Sequence, residues 1–401
     1  MNDDNNCLMD VGCLMDVASR PPVTMVAGQG AWLTDHTGKN YLDFVQGWAV
    51  NCFGHSPRIV TDTLTQQAST LLNCSPAFYN APMLELAQLI TAHSGLHQVW
   101  FGSGGAEVNE GAIKLARRWG QKYRDGAFEI ITLQNSFHGR TLATMAASGK
   151  PQWEPLFEPK VPGFTKVPIN DIDAVAAAIS HNTVAVMLEP VQGEGGVIPA
   201  TREFLQQLRA LTQRKNLLLI FDEVQTGMGR TGSLFAFQQL GVTPDIMTLG
   251  KGLGGGAPLS ALVAHRDFCC FEHGDQGGTF SGTALMTAVG CAVFKEIAQP
   301  KFLANVQAQG EYLRAQLQKI SAAFQLGEVR GSGLLVALEI PRENSVKIAD
   351  AAFAHGLLVN APRGNALRFM PALTVTREEI DTMAELLRLA LTDSAGVSHA
   401  A

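Results

Sequence analysis

LLLIFDEVQTGMGRTG (residues 217–232) and, after a short gap, DIMTLGKG (245–252) are the two stretches that decide the fold of this chain. Each begins with a run of aliphatic residues without polar alternation, which is typical of a strand buried on both faces of a sheet. The first run ends at Asp222, and the second leads to Lys251 among glycines. The sequence therefore predicts two neighbouring buried strands, each with one ionisable side chain at its end.

The pairing of these two side chains indicates a particular chemistry. Because a lysine at the mouth of an apolar sheet loses hydration, we expect the pKa of Lys251 to fall, which favours Schiff-base formation. Asp222, on the neighbouring strand, is suited to hold a buried cation. Pyridoxal phosphate (PLP) requires both groups, a lysine at its aldehyde and a carboxylate at its pyridinium nitrogen. The simpler alternative is a surface lysine on a flexible glycine loop.

A nicotinamide-dinucleotide site is a competing interpretation, because Gly250-Lys-Gly-Leu-Gly-Gly255 satisfies the pattern G-x-G-x-x-G. That pattern should open a helix, whereas the next segment, Leu259–Val263, predicts another strand. It should also be followed after about twenty residues by an acidic side chain, where Cys269 and Cys270 stand instead. A nucleotide phosphate loop of the Walker type requires Ser or Thr directly after the lysine. The sequence therefore disfavours both nucleotide sites.

Further apolar runs alternate with segments whose apolar residues recur at helical spacing. Strands that alternate with helices favour an α/β fold with a mainly parallel central sheet covered on both faces. The predicted strands are Gln98–Ser103, Phe128–Leu133, Val184–Glu189, Leu217–Asp222 and Ser260–His265, and the predicted helices between them are Ala106–Arg124 and Arg202–Lys215.

The two ends of the chain have a different pattern. Near the start, apolar pairs flank the turn Asp35–Gly38 and predict a hairpin. Near the end, Phe302–Phe324 predicts a long amphipathic helix and Gly331–Pro341 an exposed edge strand. A capping box, Thr376–Glu379, predicts the start of a final helix. We therefore expect a large α/β domain over residues 56–290 and a smaller α+β domain built from residues 1–55 and 291–401.

Composition excludes several classes of protein. The 401 residues carry 30 basic and 36 acidic side chains, a net charge of −6, so no basic field for nucleic acid is expected. No apolar run reaches the ~20 residues that span a bilayer, so a soluble protein is expected. The seven cysteines are scattered without a C-x-x-C pair and indicate neither a disulfide framework nor a metal site. The polar, acidic N-terminus lacks the features of a signal peptide, so we expect a cytoplasmic protein.

A tandem repeat, CLMDVG (7–12) followed by CLMDVA (13–18), precedes the hairpin. Two copies of six residues are too short for a solenoid. We interpret them as an additional N-terminal turn or arm without a chemical role.

A phosphate site is suggested by FGSGGAEVN (101–109), where a strand turns through glycines into a helix. Bare backbone N–H groups and the positive end of the helix dipole are suited to an anion. An ordinary glycine-rich turn between strand and helix would have the same residues, so this segment leaves both readings open.

With these segments in view, the chain resembles the class III PLP-dependent aminotransferases, and within that family the acetylornithine aminotransferases. The resemblance extends from about Leu14 to Leu391. It rests on eight motifs in order: GWAVNCFGH (47–55), GSGGAEVNEGAIKLAR (102–117), SFHGRTLA (136–143), LEPVQGEGGV (188–197), DEVQTGMGRTG (222–232), TLGKGLGGG (248–256), GGTF (277–280) and LRFMPAL (367–373).

The resemblance implies fold type I, PLP as cofactor and a role for each matching residue. Lys251 would bind the cofactor aldehyde and then move the proton between substrate and cofactor carbons, while Asp222 would contact the pyridine nitrogen. The remaining cofactor contacts would come from Gly105 and Ala106 at the phosphate, Phe137 and Val224 on the two faces of the ring, and Gln225 near its 3′ oxygen. Thr279 would reach the phosphate of the neighbouring subunit, which implies a homodimer.

Substrate recognition should depend on arginine, whose planar fork pairs with carboxylates in bidentate fashion. Arg140 and Arg368 resemble the two carboxylate-binding arginines of the family, and Glu194 the glutamate that pairs with Arg368. Glu194 could stay paired with Arg368 when the ω-amine substrate binds and separate from it when the α-carboxylate of glutamate binds. Alternatively, the two residues could form a plain buried ion pair. Gly278 and Trp48 complete the expected substrate site.

The substrate implied by the resemblance is N²-acetylornithine. Ornithine aminotransferases carry a tyrosine where Gly47 stands, and Gly47 leaves room for an acylated amino group. Glutamate would donate the amino group in a ping-pong cycle of arginine biosynthesis that interconverts N²-acetylornithine and 2-oxoglutarate with N-acetylglutamate 5-semialdehyde and glutamate. The alternatives are succinylornithine, ornithine or 4-aminobutyrate as substrate, or a non-catalytic cofactor-binding protein.

Two positions depart from the pattern of the family. Gly104 replaces a serine whose hydroxyl usually contacts the phosphate, and Thr283-Ala284 replaces the usual Asn-Pro after GGTF. The first departure predicts weaker retention of PLP.

Overall fold

A seven-stranded sheet forms the centre of the structure, a computed structural model that describes residues 11–396. Its strands follow one another in the order Gln98–Gly102, Ser260–Ala264, Ile246–Leu249, Leu218–Asp222, Thr183–Leu188, Glu129–Leu133 and Phe164–Val167. Ser260–Ala264 is antiparallel to both of its neighbours, and the other pairs are parallel. The mainly parallel α/β sheet predicted from the sequence is therefore confirmed.

The register of the two central strands places the site. Phe221 pairs with Met247 and Asp222 with Thr248, so both strands end at the same edge of the sheet. All residues of Leu218–Asp222 and Ile246–Leu249 are buried, as their lack of polar alternation predicts. Because parallel strands end together, the residues that follow them converge at this carboxyl edge.

Helices cover both faces of the sheet. Arg202–Lys215 begins at Thr201, whose side chain accepts a hydrogen bond from the Phe204 N–H at 3.1 Å, and it buries Phe204, Leu208 and Leu211. Gly105–Tyr123 starts one residue before its predicted bound and buries its apolar stripe. The other longer helices are Arg58–Ala68, Ala81–Ser94, Leu142–Ala147, Ile172–Ala178, Ala236–Leu240, Ala284–Ile297, Pro300–Phe324, Ser345–Ala354 and Arg377–Gly396.

A four-stranded sheet joins the two ends of the chain. The predicted hairpin is present as Trp32–Asp35 and Asn40–Asp43, preceded by Met25–Gln29. The second hairpin strand pairs in parallel with Leu357–Leu358, with Leu42 opposite Leu357. This pairing supports a discontinuous smaller domain, which we retain as a proposal. The expected boundary at residue 290 falls inside a helix, Ala284–Ile297.

A strand is present within Gly331–Pro341, at Leu335–Glu339, but its expected exposed edge position is wrong. The chain instead forms a hairpin of Val329–Ser332 and Leu335–Glu339. The second strand lies inside a four-stranded sheet, between the first strand and Ala366–Phe369, with Asn360–Arg363 beyond. Leu335–Leu338 is buried, because this run has no polar residue to face solvent.

The final helix confirms its predicted start. The Thr376 N–H donates to Glu379 Oε2 at 2.9 Å, and the Glu379 N–H donates to Thr376 Oγ1 at 3.2 Å, so the capping box is closed in both directions. No helix within residues 11–396 combines the length and apolar composition needed to cross a membrane. The first residues of the N-terminal repeat lie outside the described residues, and residues 11–18 form neither helix nor strand.

Candidate active site

A cavity of about 280 Å³ opens at the carboxyl edge of the central sheet. Most of the residues singled out in the sequence line it together, although they come from five separate segments of the chain. The lining residues are Gly105, Ala106, Asn109, Phe137, His138, Gly139, Arg140, Glu189, Glu194, Asp222, Val224, Gln225 and Lys251. Among residues 11–396, no group of three or more His, Cys, Asp or Glu side chains is arranged to hold a metal ion.

Lys251 enters the cavity directly after the strand Ile246–Leu249. Its φ is 41°, in the left-handed region that non-glycine residues rarely adopt, and such strain concentrates at functional sites. Burial lowers the pKa of Lys251, while the charge of Asp222 acts in the opposite direction. The amine is therefore more easily deprotonated than an exposed lysine, as a nucleophile or base requires.

Asp222 is held by three donors. Its Oδ2 accepts hydrogen bonds from His138 Nδ1 at 2.7 Å and from Asn109 Nδ2 at 2.8 Å, and its Oδ1 accepts from the Val224 N–H at 3.1 Å. Thr248 Oγ1 donates to Asn109 Oδ1 at 2.7 Å and orients that amide. The carboxylate is thus fixed in one orientation at the base of the cavity.

His138 forms an ion pair with Asp222. Burial alone would lower the pKa of His138, but the hydrogen bond and charge of Asp222 raise it above its usual value. The buried pair is supported by the His138 backbone, whose N–H donates to Ser148 Oγ at 2.9 Å and whose carbonyl accepts from Asn109. His138, which lies within the motif SFHGRTLA, thus orients Asp222.

Glu189 is a second buried carboxyl in the cavity. Its Oε2 accepts a hydrogen bond from the Phe137 N–H at 2.9 Å. Burial raises its pKa to about 7. Sequence reasoning did not single out Glu189, Asn109 or Thr248, because each acquires its role from partners more than 40 residues away.

The start of the helix Gly105–Tyr123 forms another wall of the cavity. Because the first N–H groups of a helix have no partner inside the helix, this end is suited to an anion. A Cβ on Gly105 would lie 2.6 Å from Val224 Cγ1, so only glycine allows Val224 to approach the cavity at this point. The segment 101–109, for which the sequence allowed either a phosphate site or an ordinary turn, therefore faces the cavity through Gly105, Ala106 and Asn109.

Arg368 lies on the strand Ala366–Phe369 and is fully buried. Its NH2 donates to Glu194 Oε1 at 2.7 Å, its Nε to Asn360 Oδ1 at 3.0 Å and its NH1 to Gln225 Oε1 at 3.3 Å. A Cβ on the neighbouring Gly193 would lie 1.6 Å from Gln225 Oε1. A glycine is therefore required where the loop that carries Glu194 passes the arginine.

Glu194 is the acidic partner that makes the buried guanidinium tolerable. Burial alone would raise the pKa of Glu194, but Arg368 and Lys150 together lower it to about 2. Lys150, which the sequence did not indicate, donates to Glu194 Oε2 at 3.0 Å. Glu194 therefore stays ionised at neutral pH and is bound by two cations.

Arg140 and Trp48 lie at the mouth of the site. Arg140 is exposed, and its guanidinium lies 5.5 Å from the ring centre of Trp153. The ring of Trp48, 52% exposed, lies 5.9 Å from the Arg368 guanidinium. Gln46–Ala49 all have φ between 50° and 67°, a left-handed turn that glycine favours at Gly47 and that costs free energy at the other positions.

Gly278 and Thr279 do not line the cavity. They belong to a loop segment that passes the first turn of the helix Gly105–Tyr123, where a Cβ on Gly278 would lie 3.1 Å from Glu107 Oε1. Thr279 is exposed. The contact of Thr279 with a neighbouring subunit stays a prediction.

Comparisons with known proteins identify the family of this chain. A family model described as aminotransferase class III matches residues 14–391. The acetylornithine aminotransferase of Ralstonia nicotianae is 58% identical, over 95% of this chain and 97% of that protein. The crystal structure of N-acetylornithine aminotransferase from Stenotrophomonas maltophilia superposes with a TM-score of 0.82 at 34% identity, covering 94% of this chain and 97% of that one.

An ornithine aminotransferase from Toxoplasma gondii, whose structure is described with partial occupancy of PLP at its active site, is also similar. Its structure superposes with a TM-score of 0.91 at 29% identity, and the superposition covers 98% of this chain and 95% of that chain. The likeness thus extends over both the large sheet and the segments from the two chain ends. Because the family model spans nearly all of the described residues, the chain belongs to the class III aminotransferases.

Proposed function

We propose that this protein is a PLP-dependent aminotransferase that interconverts N²-acetylornithine and 2-oxoglutarate with N-acetylglutamate 5-semialdehyde and glutamate. The observation that carries the proposal is one cavity lined by Lys251, Asp222 and Arg140. Next to this cavity lies a buried Arg368 that forms an ion pair with Glu194. The relative from Ralstonia nicotianae, named for the acetylornithine reaction, supports this substrate.

The residues of the cavity fit PLP. Asp222 offers a fixed carboxylate, Lys251 an amine of lowered pKa, and the helix start at Gly105 and Ala106 an anion site that no Cβ at Gly105 obstructs. Val224 and Phe137 would hold the two faces of the ring, and Gln225 would lie near its oxygen substituent. When bound, PLP supplies an aldehyde that condenses with primary amines and a protonated ring that withdraws electrons.

Lys251 and Asp222 have distinct tasks in this scheme. With the cofactor bound, Lys251 Nζ would take the proton from the amine-bearing carbon of the substrate and later give it up again, a role that its lowered pKa favours. The Asp222 carboxylate, oriented by His138 and Asn109, would hold the ring nitrogen of the cofactor. Neither residue needs to move far, because both are held by the ends of adjacent strands.

The arginines distinguish the two substrates. Arg140 is exposed at the mouth and is free to bind the carboxylate that acetylornithine and glutamate share. Arg368 would bind the second carboxylate of glutamate only after Glu194 has left it. With acetylornithine, which lacks that carboxylate, Glu194 would remain paired with Arg368. One site can thereby accept both partners of the ping-pong cycle.

We also propose a cytoplasmic homodimer. Phe280, next to Thr279, is 66% exposed, and Phe78 and Tyr79 are 67% and 83% exposed. The two segments adjoin, since Asn80 Nδ2 donates to the Gly282 carbonyl at 2.8 Å. An apolar patch of this kind favours association, and sedimentation equilibrium at micromolar concentration distinguishes a dimer from a monomer.

Half-reaction kinetics with four amines on one preparation tests the proposed substrate. We expect kcat/KM for N²-acetylornithine to exceed that for ornithine and 4-aminobutyrate by at least about tenfold, since an enzyme site discriminates by a few kcal/mol per contact. Succinylornithine serves as the comparison for the acyl group. A higher kcat/KM for ornithine or 4-aminobutyrate would assign the protein to another ω-amine substrate.

Restoring a serine at position 104 is expected to strengthen binding of PLP. A Cβ at Gly104 meets no atom within 4 Å, so the hydroxyl can be added at the helix start without a clash. A hydrogen bond to a charged acceptor is worth about 1–3 kcal/mol, so the Kd of PLP should fall about five-fold or more in Gly104→Ser. Fluorescence titration of the cofactor-free proteins measures both constants, and equal values would contradict the prediction.

A further inference from the structure

Lys150 gives Glu194 a second cationic partner. The two oxygens of Glu194 are divided between cations: Oε1 accepts from Arg368 at 2.7 Å and Oε2 accepts from Lys150 Nζ at 3.0 Å. The exposed fractions of the side chains differ, with Arg368 at 0%, Lys150 at 20% and Glu194 at 26%. Glu194 therefore links a buried cation to a partly exposed one.

Aromatic rings hold Lys150 in place independently of Glu194. Its Nζ lies 4.8 Å from the ring centre of Phe137 and 5.2 Å from that of Trp153. An ammonium over two aromatic faces is stabilised by their negative electrostatic potential. If Glu194 rotates away from Arg368, the position of Lys150 is therefore maintained.

Release of Glu194 from Arg368 would otherwise be costly. Without Glu194, the buried guanidinium retains hydrogen bonds to the neutral oxygens of Asn360 and Gln225 but has no anionic partner, so a carboxylate of the substrate must take the vacated place. The displaced Glu194 carboxylate also needs a partner, because the Glu194 side chain starts from a position where it is only 26% exposed. After release from Arg368, Glu194 would have Lys150 as its cationic partner. While Glu194 is paired with Arg368, Lys150 is only a second partner, so its charge matters less.

We propose that Lys150 is a positioning residue that stabilises Glu194 after its release from Arg368 and thereby favours substrates with a second carboxylate. The inference rests on the proposed use of glutamate and 2-oxoglutarate at this site. Lys150 touches neither reacting atom in this scheme and acts only through Glu194. Its loss should therefore affect one half-reaction and leave the other nearly unchanged.

The test uses the holoenzyme with Lys150→Gln, which keeps a side chain of similar length and removes the charge. In single-turnover half-reactions we expect kcat/KM for glutamate to fall about tenfold, because KM rises. We expect kcat/KM for N²-acetylornithine to change less than about twofold, because in that half-reaction the variant loses only one partly exposed ion pair. Lys150→Arg should restore most of the loss. Lys160→Gln, which removes an ion pair with the exposed Glu154 and leaves Glu194 and Arg368 untouched, is the matched control and should alter neither half-reaction.

A second background isolates the role of Glu194. In Glu194→Gln the side chain at position 194 has no charge that needs a cationic partner. Adding Lys150→Gln to this variant should therefore not lower kcat/KM for glutamate any further. The inference would be overturned if Lys150→Gln lowered kcat/KM equally in both half-reactions or left both unchanged. It would also be overturned if Lys150→Gln caused the same loss in the Glu194→Gln background. If the wild-type protein does not react with N²-acetylornithine, the proposed substrate is wrong, and 4-aminobutyrate, also with one carboxylate, takes its place in the comparison with glutamate.

Discussion

Replacing Lys251 with alanine is expected to lower kcat of the complete transamination by at least about 10³-fold, because one amine both binds the cofactor and moves the proton. No other lysine lines the cavity among the described residues, so none can substitute for it. Steady-state assays with N²-acetylornithine and 2-oxoglutarate measure the loss. The absorption band of the bound cofactor should also shift, since its covalent link to the protein is gone.

Stability separates this loss from misfolding. The Lys251 amine is desolvated by burial, so replacing it with the smaller apolar alanine should leave the melting temperature of the cofactor-free protein unchanged or slightly higher. Lys319→Ala, an exposed position on the helix Pro300–Phe324, is the matched control and should keep full activity. Multiple turnovers by Lys251→Ala at a rate near that of the control would refute the assignment.

Replacing Asp222 with asparagine is expected to lower kcat by about 10²- to 10³-fold, because the amide no longer stabilises a positive charge on the ring nitrogen. The same change removes the partner of His138. Since Asp222 raises the pKa of His138, that pKa should fall in Asp222→Asn. An NMR titration of the His138 ring in both proteins measures the shift, and an unchanged pKa would contradict the ion pair.

The pH dependence of stability follows from the same pair. A histidine whose pKa is raised on folding contributes stability below its unfolded pKa, and this contribution is lost as the pH rises through the folded pKa. In Asp222→Asn that contribution should be missing, so the free energy of unfolding should depend less on pH in this window. Asp245→Asn, at the opposite end of the neighbouring strand, removes a contact with Arg209 and should change stability without changing activity.

Much of the fold was predictable because its signals are local. The helix Arg202–Lys215 has its predicted bounds, set by a threonine cap and a 3.6-residue apolar period. The exposed edge position expected for the strand within Gly331–Pro341 was wrong, because its signal is not local. Whether an apolar strand lies at an edge or inside a sheet depends on its neighbours, and Ala366–Phe369 comes from a distant part of the chain.

The cavity shows the same division. Lys251 and Asp222 were indicated by the strands that precede them, and the glycines around Gly105 by their spacing before a helix. Asn109, Glu189 and Lys150 were not indicated, because an amide, a carboxyl or a lysine at these positions has no distinctive local pattern. Their roles arise from hydrogen bonds to residues between 44 and 113 positions away.

By itself the sequence determined the alternation of buried strands with helices, the pair Lys251 and Asp222, and the resemblance to a motif-rich family, because periodicity and motif spacing are properties of the chain alone. Only the tertiary structure decided that Asp222 contacts a buried His138, that Arg368 is fully enclosed, and that Glu194 lies between two cations. The physical reason is that burial and charge partners set the protonation and mobility of a side chain, and both are produced by segments that meet only when the sheet forms.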